Sequence, residues 1–120
     1  MPAIQSPAET SQPWAVTEAK VREAVDRVVA SCHPRAVVLF GSWARGDAEP
    51  GSDCDMLVVA DDSTENCRRE SVKLRRALRG ISMPVDILVV RQRDLDRLKF
   101  HPGLVYAQAI REGIVAHGHL

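Results

Sequence analysis

Two apolar runs and the polar connector between them constrain this chain more than any other feature. Residues 36 to 40 read Ala-Val-Val-Leu-Phe, and residues 53 to 60 read Asp-Cys-Asp-Met-Leu-Val-Val-Ala. Apart from the Asp-x-Asp opening, neither run alternates apolar with polar residues. Each therefore predicts a buried strand, covered on both faces. The connector opens with Gly41-Ser42-Trp43-Ala44-Arg45-Gly46 and closes with Pro50-Gly51-Ser52. One end can hold phosphates and the other can hold metal ions.

The flanking segments supply the helices. Val21, Ala24, Val25, Val28 and Cys32 recur at three- and four-residue spacing, predicting a helix with Thr17 as its N-cap and His33-Pro34 as its stop. After the second strand, Asp61-Asp62-Ser63-Thr64 predicts a turn that caps a helix over 65–79, with Gly80 ending it. The apolar stripe of that helix is Cys67, Ser71, Leu74 and Leu78. Its other faces carry Arg68, Arg69, Lys73, Arg75, Arg76 and Arg79. They form either a solvated face or a docking surface for an acidic partner or RNA. Val85–Val90 predicts a third strand. Short helices are expected over 94–98 and 102–112, the latter with Pro102 in its first turn, and an edge strand over 114–116. Residues 1–13, with three prolines among small and polar residues, predict a loose tail before a single domain over 14–120. Strands and helices alternate, which indicates an α/β layer architecture.

Composition narrows the function classes. Sixteen Lys and Arg balance sixteen Asp and Glu. Nucleic-acid binding through overall basic charge is therefore excluded, though a local patch is not. Cys32, Cys54 and Cys67 have no paired spacing, so inert thiols in a reducing, cytoplasmic setting are expected. No apolar run approaches the ~18 residues of a membrane span, and the N-terminus lacks the basic-then-apolar pattern of a signal. His33 is expected at a helix end and His101 in a loop, with His117 and His119 in a solvated tail.

The chemistry lies in three carboxylates and a turn. On a strand, Asp53 and Asp55 share a face, with Cys54 on the other. Two close anions repel, and a divalent cation such as Mg²⁺ resolves the conflict with hard oxygen ligands. Asp86 stands in the apolar run Val85-Asp-Ile-Leu-Val-Val90, where a carboxylate is costly unless paired or metal-bound. If its strand lies beside that of Asp53 and Asp55, three carboxylates converge and can hold two metals roughly 3.5–4 Å apart. Upstream, Gly41 permits a tight turn and close backbone approach to a ligand. Ser42 offers a hydroxyl and nearby N–H groups to phosphate, and Arg45 can reach the same phosphates. Each element has a plainer reading: strand-end capping for the Asp pair, and for Arg45 an ion pair with Asp47 or another carboxylate.

Taken together, Gly41-Ser42, ten intervening residues and Asp53-Cys54-Asp55 resemble the G-S-x10-D-x-D signature of minimal nucleotidyltransferases (MNT), of the DNA polymerase beta superfamily. Asp86 falls where that family has its third acidic residue, and Tyr106–Val115 looks like the end of its domain. The resemblance covers about residues 17 to 116. It implies a nucleotidyltransferase fold, a small mixed β-sheet flanked by helices. It implies transfer of a nucleoside monophosphate from a triphosphate, expected to be ATP, to an acceptor hydroxyl. Asp53 and Asp55 would hold two Mg²⁺ ions, with Asp86 completing the site, while Gly41, Ser42 and Arg45 would bind the nucleotide. Members of this size commonly act with a HEPN-domain protein, an RNase toxin that the MNT antitoxin can adenylylate. The alternatives are a binding module of the same fold that neutralises or assists a partner by contact, and a transferase acting on a small molecule or RNA.

Overall fold

A computed structural model describes residues 13–49 and 51–120. The expected loose tail falls almost wholly outside them. Five helices and four strands are present in the described residues. In chain order they are α1 (Glu18–Cys32), β1 (Ala36–Phe40), α2 (Gly41–Arg45), β2 (Cys54–Ala60), α3 (Cys67–Ala77), β3 (Val85–Arg91), α4 (Gln92–Leu98), α5 (Val105–Glu112) and β4 (Ile114–Gly118). The strands form one mixed sheet in the order β3-β2-β1-β4. β1 runs antiparallel to both β2 and β4, while β2 and β3 are parallel and joined through α3. This is the α/β layer architecture expected from the alternation of elements.

The continuous apolar runs follow from burial on both sides. Val37 and Leu39 of β1 and Cys54, Met56 and Val58 of β2 join one core with Val21, Ala24, Val25 and Val28 of α1 and Leu74 of α3. The alternate positions, Ala36, Val38, Leu57 and Val59, form a second core with Leu95 of α4 and Ala109 of α5. Each strand thus contributes every other residue to a separate helical layer.

Local signals set most of the boundaries. Thr17 caps α1, its Oγ1 accepting from the Lys20 N–H at 3.2 Å. His33 ends α1 in the left-handed region at φ 47°, and Pro34 follows. The cap of α3 is Asn66, whose Oδ1 accepts from the Arg69 N–H at 3.0 Å. The expected turn over 61–64 does exist, held by Asp61 Oδ2 accepting from the Ser63 N–H at 2.9 Å. It lies too early to cap the helix, and Asp62 instead accepts from the Arg93 N–H at 2.9 Å, tying the turn to α4. α5 begins at Val105 rather than in the turn containing Pro102. His117 belongs to β4, opposite Val37, and not to a tail. β4 reaches Gly118, two residues past the expected edge strand, with a register shift opposite Val37 and Val38.

Leu74 is fully buried where α3 meets the sheet. Leu74→Ala should lower the free energy of unfolding by about 2–5 kcal/mol, and Asn66→Ala by about 1 kcal/mol. Urea unfolding followed by circular dichroism measures both. A neutral Asn66→Ala would show that the cap lies elsewhere.

Candidate functional site

β1 delivers the chain to the site and β2 carries it away. Phe40, the last residue of β1, stands opposite Asp55 in the antiparallel register. On the other side of β2, Asp55 stands beside Asp86 in the parallel register with β3. Adjacent strands are about 4.8 Å apart, so the two carboxylates leave the same face at the same level. Asp53 lies one residue before β2 and is exposed. The strand proper begins at Cys54, whose N–H donates to the Pro84 carbonyl at 2.9 Å.

The turn after β1 is shaped around Asp55. Gly41 has φ +79°, a conformation that L side chains rarely adopt. A Cβ there would overlap the Asp55 carboxylate. Two independent constraints therefore select glycine at the first position of α2: the left-handed backbone and the close approach of Asp55. α2 then closes on itself, the Ser42 carbonyl accepting from the Asp47 N–H at 3.1 Å. Gly46, with φ +84°, ends it.

Electrostatics separate the acidic residues. Burial pushes the Asp55 carboxyl above the usual range, the charges of Asp86 and then Asp53 push the same way, and Arg45 partly opposes them. Asp86 is the open member of the pair, its side chain 68% exposed, and it meets the Arg75 guanidinium at 3.5 Å. On the opposite face of β2, burial raises the Cys54 thiol to about 11, with Asp55 and Asp53 adding to the shift. Cys32 is raised to about 11 by burial as well. Both shifts disfavour the reactive thiolate.

Arg45 is engaged within the chain. It donates to Asp47 at 3.2 Å and to Glu112 at 3.3 Å. Glu112, at the end of α5, is held below its usual range by the Gln108 amide and by Arg45. The sequence names an acidic partner for Arg45 in Asp47. It carries no signal for Glu112, which lies 67 positions away, or for the contact of Arg75 with Asp86.

The residues picked from the sequence thus gather at one end of the sheet. Gly41 lies against Asp55, Asp55 beside Asp86, and Arg45 and Asp53 within electrostatic reach of Asp55. A partly buried carboxylate flanked by like charges, under the bare backbone of Gly41, has the hard oxygen donors that a divalent cation requires. Among the described residues, however, no three acidic, histidine or cysteine side chains form a ready metal-holding group.

Comparison with known proteins bears on the family and the fold. The family description "Nucleotidyltransferase domain" matches residues 18–113. The crystal structure of a candidate nucleotidyltransferase from Sulfolobus solfataricus is similar to the chain with a TM-score of 0.59 and 25% identity, over 96% of this chain and 90% of that one. A crystal structure of a toxin–antitoxin with AMP-PNP is similar with a TM-score of 0.51 and 22% identity, over 82% of this chain and 73% of that one. At that identity the second likeness is one of fold. No curated protein matches the chain.

Two expectations follow from the geometry. The folded-state carboxyl of Asp55 titrates above its unfolded value. Its contribution to stability is therefore present below the ordinary carboxylate range and is lost as pH rises through the folded value. Asp55→Asn should raise the melting temperature at pH 7, and the difference should shrink as pH falls through the ordinary carboxylate range. Differential scanning fluorimetry across pH tests this; no gain at pH 7 counts against it. Gly41→Ala should cost about 2–4 kcal/mol, falling to the left-handed penalty of about 1–2 kcal/mol in an Asp55→Ala background. Equal costs in the two backgrounds would mean that Asp55 does not crowd Gly41.

Proposed function

The chain belongs to the nucleotidyltransferase domain family, and on that premise we propose that it moves AMP from ATP to a hydroxyl of a partner protein, as an antitoxin that adenylylates and neutralises a HEPN RNase toxin. The observation that carries this reading is the register that sets Asp55 beside Asp86 under the Gly41 turn. The toxin–antitoxin solved with AMP-PNP is a neighbour in fold. It directs the proposal to an ATP-type nucleotide and a protein acceptor. The unpartnered, desolvated thiols suit a cytoplasmic setting.

Asp53, Asp55 and Asp86 would hold Mg²⁺. When bound, the ions would offset charge on the triphosphate and on the attacking and leaving oxygens. The crowded Asp55 carboxylate fits this role because an added cation relieves both its desolvation and its repulsion from Asp86 and Asp53. Gly41 leaves the backbone open for approach, and Ser42 supplies a hydroxyl beside it. Arg45 would exchange Asp47 and Glu112 for phosphate oxygens, already pointed by those two carboxylates. In the transfer, the acceptor oxygen forms a bond to the α-phosphorus. The bond from that phosphorus to the bridging oxygen breaks, and pyrophosphate leaves. Asp86, the most open carboxylate of the pair, takes the acceptor proton. Catalysis rests on positioning and charge stabilisation.

A second reading is a binding module of the same fold that neutralises its partner by contact. It draws on the engagement of Asp86 by Arg75 and of Arg45 by Glu112. Incubating the chain and a HEPN partner with α-labelled ATP and Mg²⁺ separates the two. The transferase reading expects label on the partner, reduced about 100-fold or more by Asp53→Asn or Asp55→Asn. Neutralisation without any label transfer would replace it with the binding module.

A further inference from the structure

The charge of this chain is unevenly spread, and α3 with the residues just after it holds much of the positive part. Between residues 67 and 79 the chain carries six cations and one anion, although its formal net charge is zero. Glu70 pairs with Lys73 at 3.6 Å, and Arg75 reaches Asp86. Arg68, Arg69, Arg76 and Arg79 are exposed and have no ion-pair partner among the described residues. Such a concentration in a neutral chain creates a local positive field that attracts an anionic partner.

Two further observations give the partner its chemistry. Val72, 46% exposed, sits among the arginines on the outer side of α3. Helical spacing puts it beside Arg68, Arg75 and Arg76. Beyond it, a groove of about 210 Å³ lies between α3 and β3, lined by Arg75, Leu78, Ile81, Met83, Val85 and Ile87. Arginines around apolar ground suit a protein segment with acidic and apolar side chains better than a phosphate backbone, which has no apolar side chain to bury. The surface also leads to the site. Arg75 lines the groove, reaches around edge strand β3 and contacts both the Asp86 carboxylate and the Ile87 carbonyl.

We infer that α3 and the groove beside β3 form the docking surface for the acceptor, and that the occupant is an acidic, amphipathic segment of a partner protein. Its carboxylates meet the arginines of α3, and an apolar side chain enters the groove. The acceptor hydroxyl is thereby brought to Asp86. As an account of the acceptor, this rests on the transferase reading; as a binding surface, it is tested separately.

The test uses the full chain and three fluorescein-labelled probes: a short helical peptide with glutamates around a leucine stripe, the same peptide with lysines for glutamates, and a single-stranded RNA of matched length and charge. Fluorescence anisotropy should show the acidic peptide binding best, roughly tenfold tighter than the RNA, and weakening as salt rises. Arg68→Glu with Arg76→Glu should weaken it by roughly tenfold or more, and Val72→Asp by roughly threefold or more. RNA binding as tight as the peptide, or peptide binding indifferent to these exposed substitutions, overturns the inference. Fluorescent ATP analogue binding with Mg²⁺ is measured on the same samples and should not change in the Arg68→Glu/Arg76→Glu variant. If the analogue fails to bind the wild-type chain while the peptide still depends on these arginines, the transferase reading falls and the docking surface stands.

Discussion

Two carboxylates in register on neighbouring strands are the constraint to which the rest of this structure answers. Asp55 and Asp86 emerge side by side from a parallel strand pair, and Asp55 is partly buried. Hydrophobic burial on both faces of the sheet holds that register. A one-residue slip would turn every inward-facing Met, Leu, Ile and Val of these strands toward the wrong helical layer. The sheet thus imposes an electrostatic cost at one end because its packing allows no other alignment.

The short helix α2 shows the same economy of parts. Five residues are too few to be helical on their own. It is set in place at its start by Gly41 against Asp55 and at its end by Arg45 bridging to Glu112 of α5. Its position therefore depends on both the sheet and the last helix. A nucleotide bound at this turn would engage elements that lie far apart in sequence.

Much of the fold was legible in the sequence because its signals are local. The unbroken apolar runs foretold strands covered on both faces, and the three- and four-residue spacing of Val21, Ala24, Val25 and Val28 foretold α1. Asp-x-Asp after a Gly-Ser turn drew attention to the end of the sheet where these residues meet. The errors came where two local signals competed or where distance mattered. Asp61–Thr64 was expected to cap α3, but Asp61 holds its own turn with Ser63 and Asn66 caps the helix. Pro102 suits a first helical turn, yet the chain enters α5 three residues later. The contacts of Arg45 with Glu112 and of Arg75 with Asp86 join separate elements, and no spacing rule reaches them.

The position of β3 at the rim of the sheet has a thermodynamic consequence. In the unfolded chain, Asp55 and Asp86 are separated by a long segment and hardly feel each other. Their repulsion is incurred only when β3 docks on β2, so it falls on the closure of that edge and not on the chain as a whole. A cation placed between them would favour the closed edge by the same free energy with which the closed edge favours the cation. Occupancy and local order at this edge are two measures of one equilibrium. Amide exchange along β3 would therefore slow if a cation were held by these carboxylates.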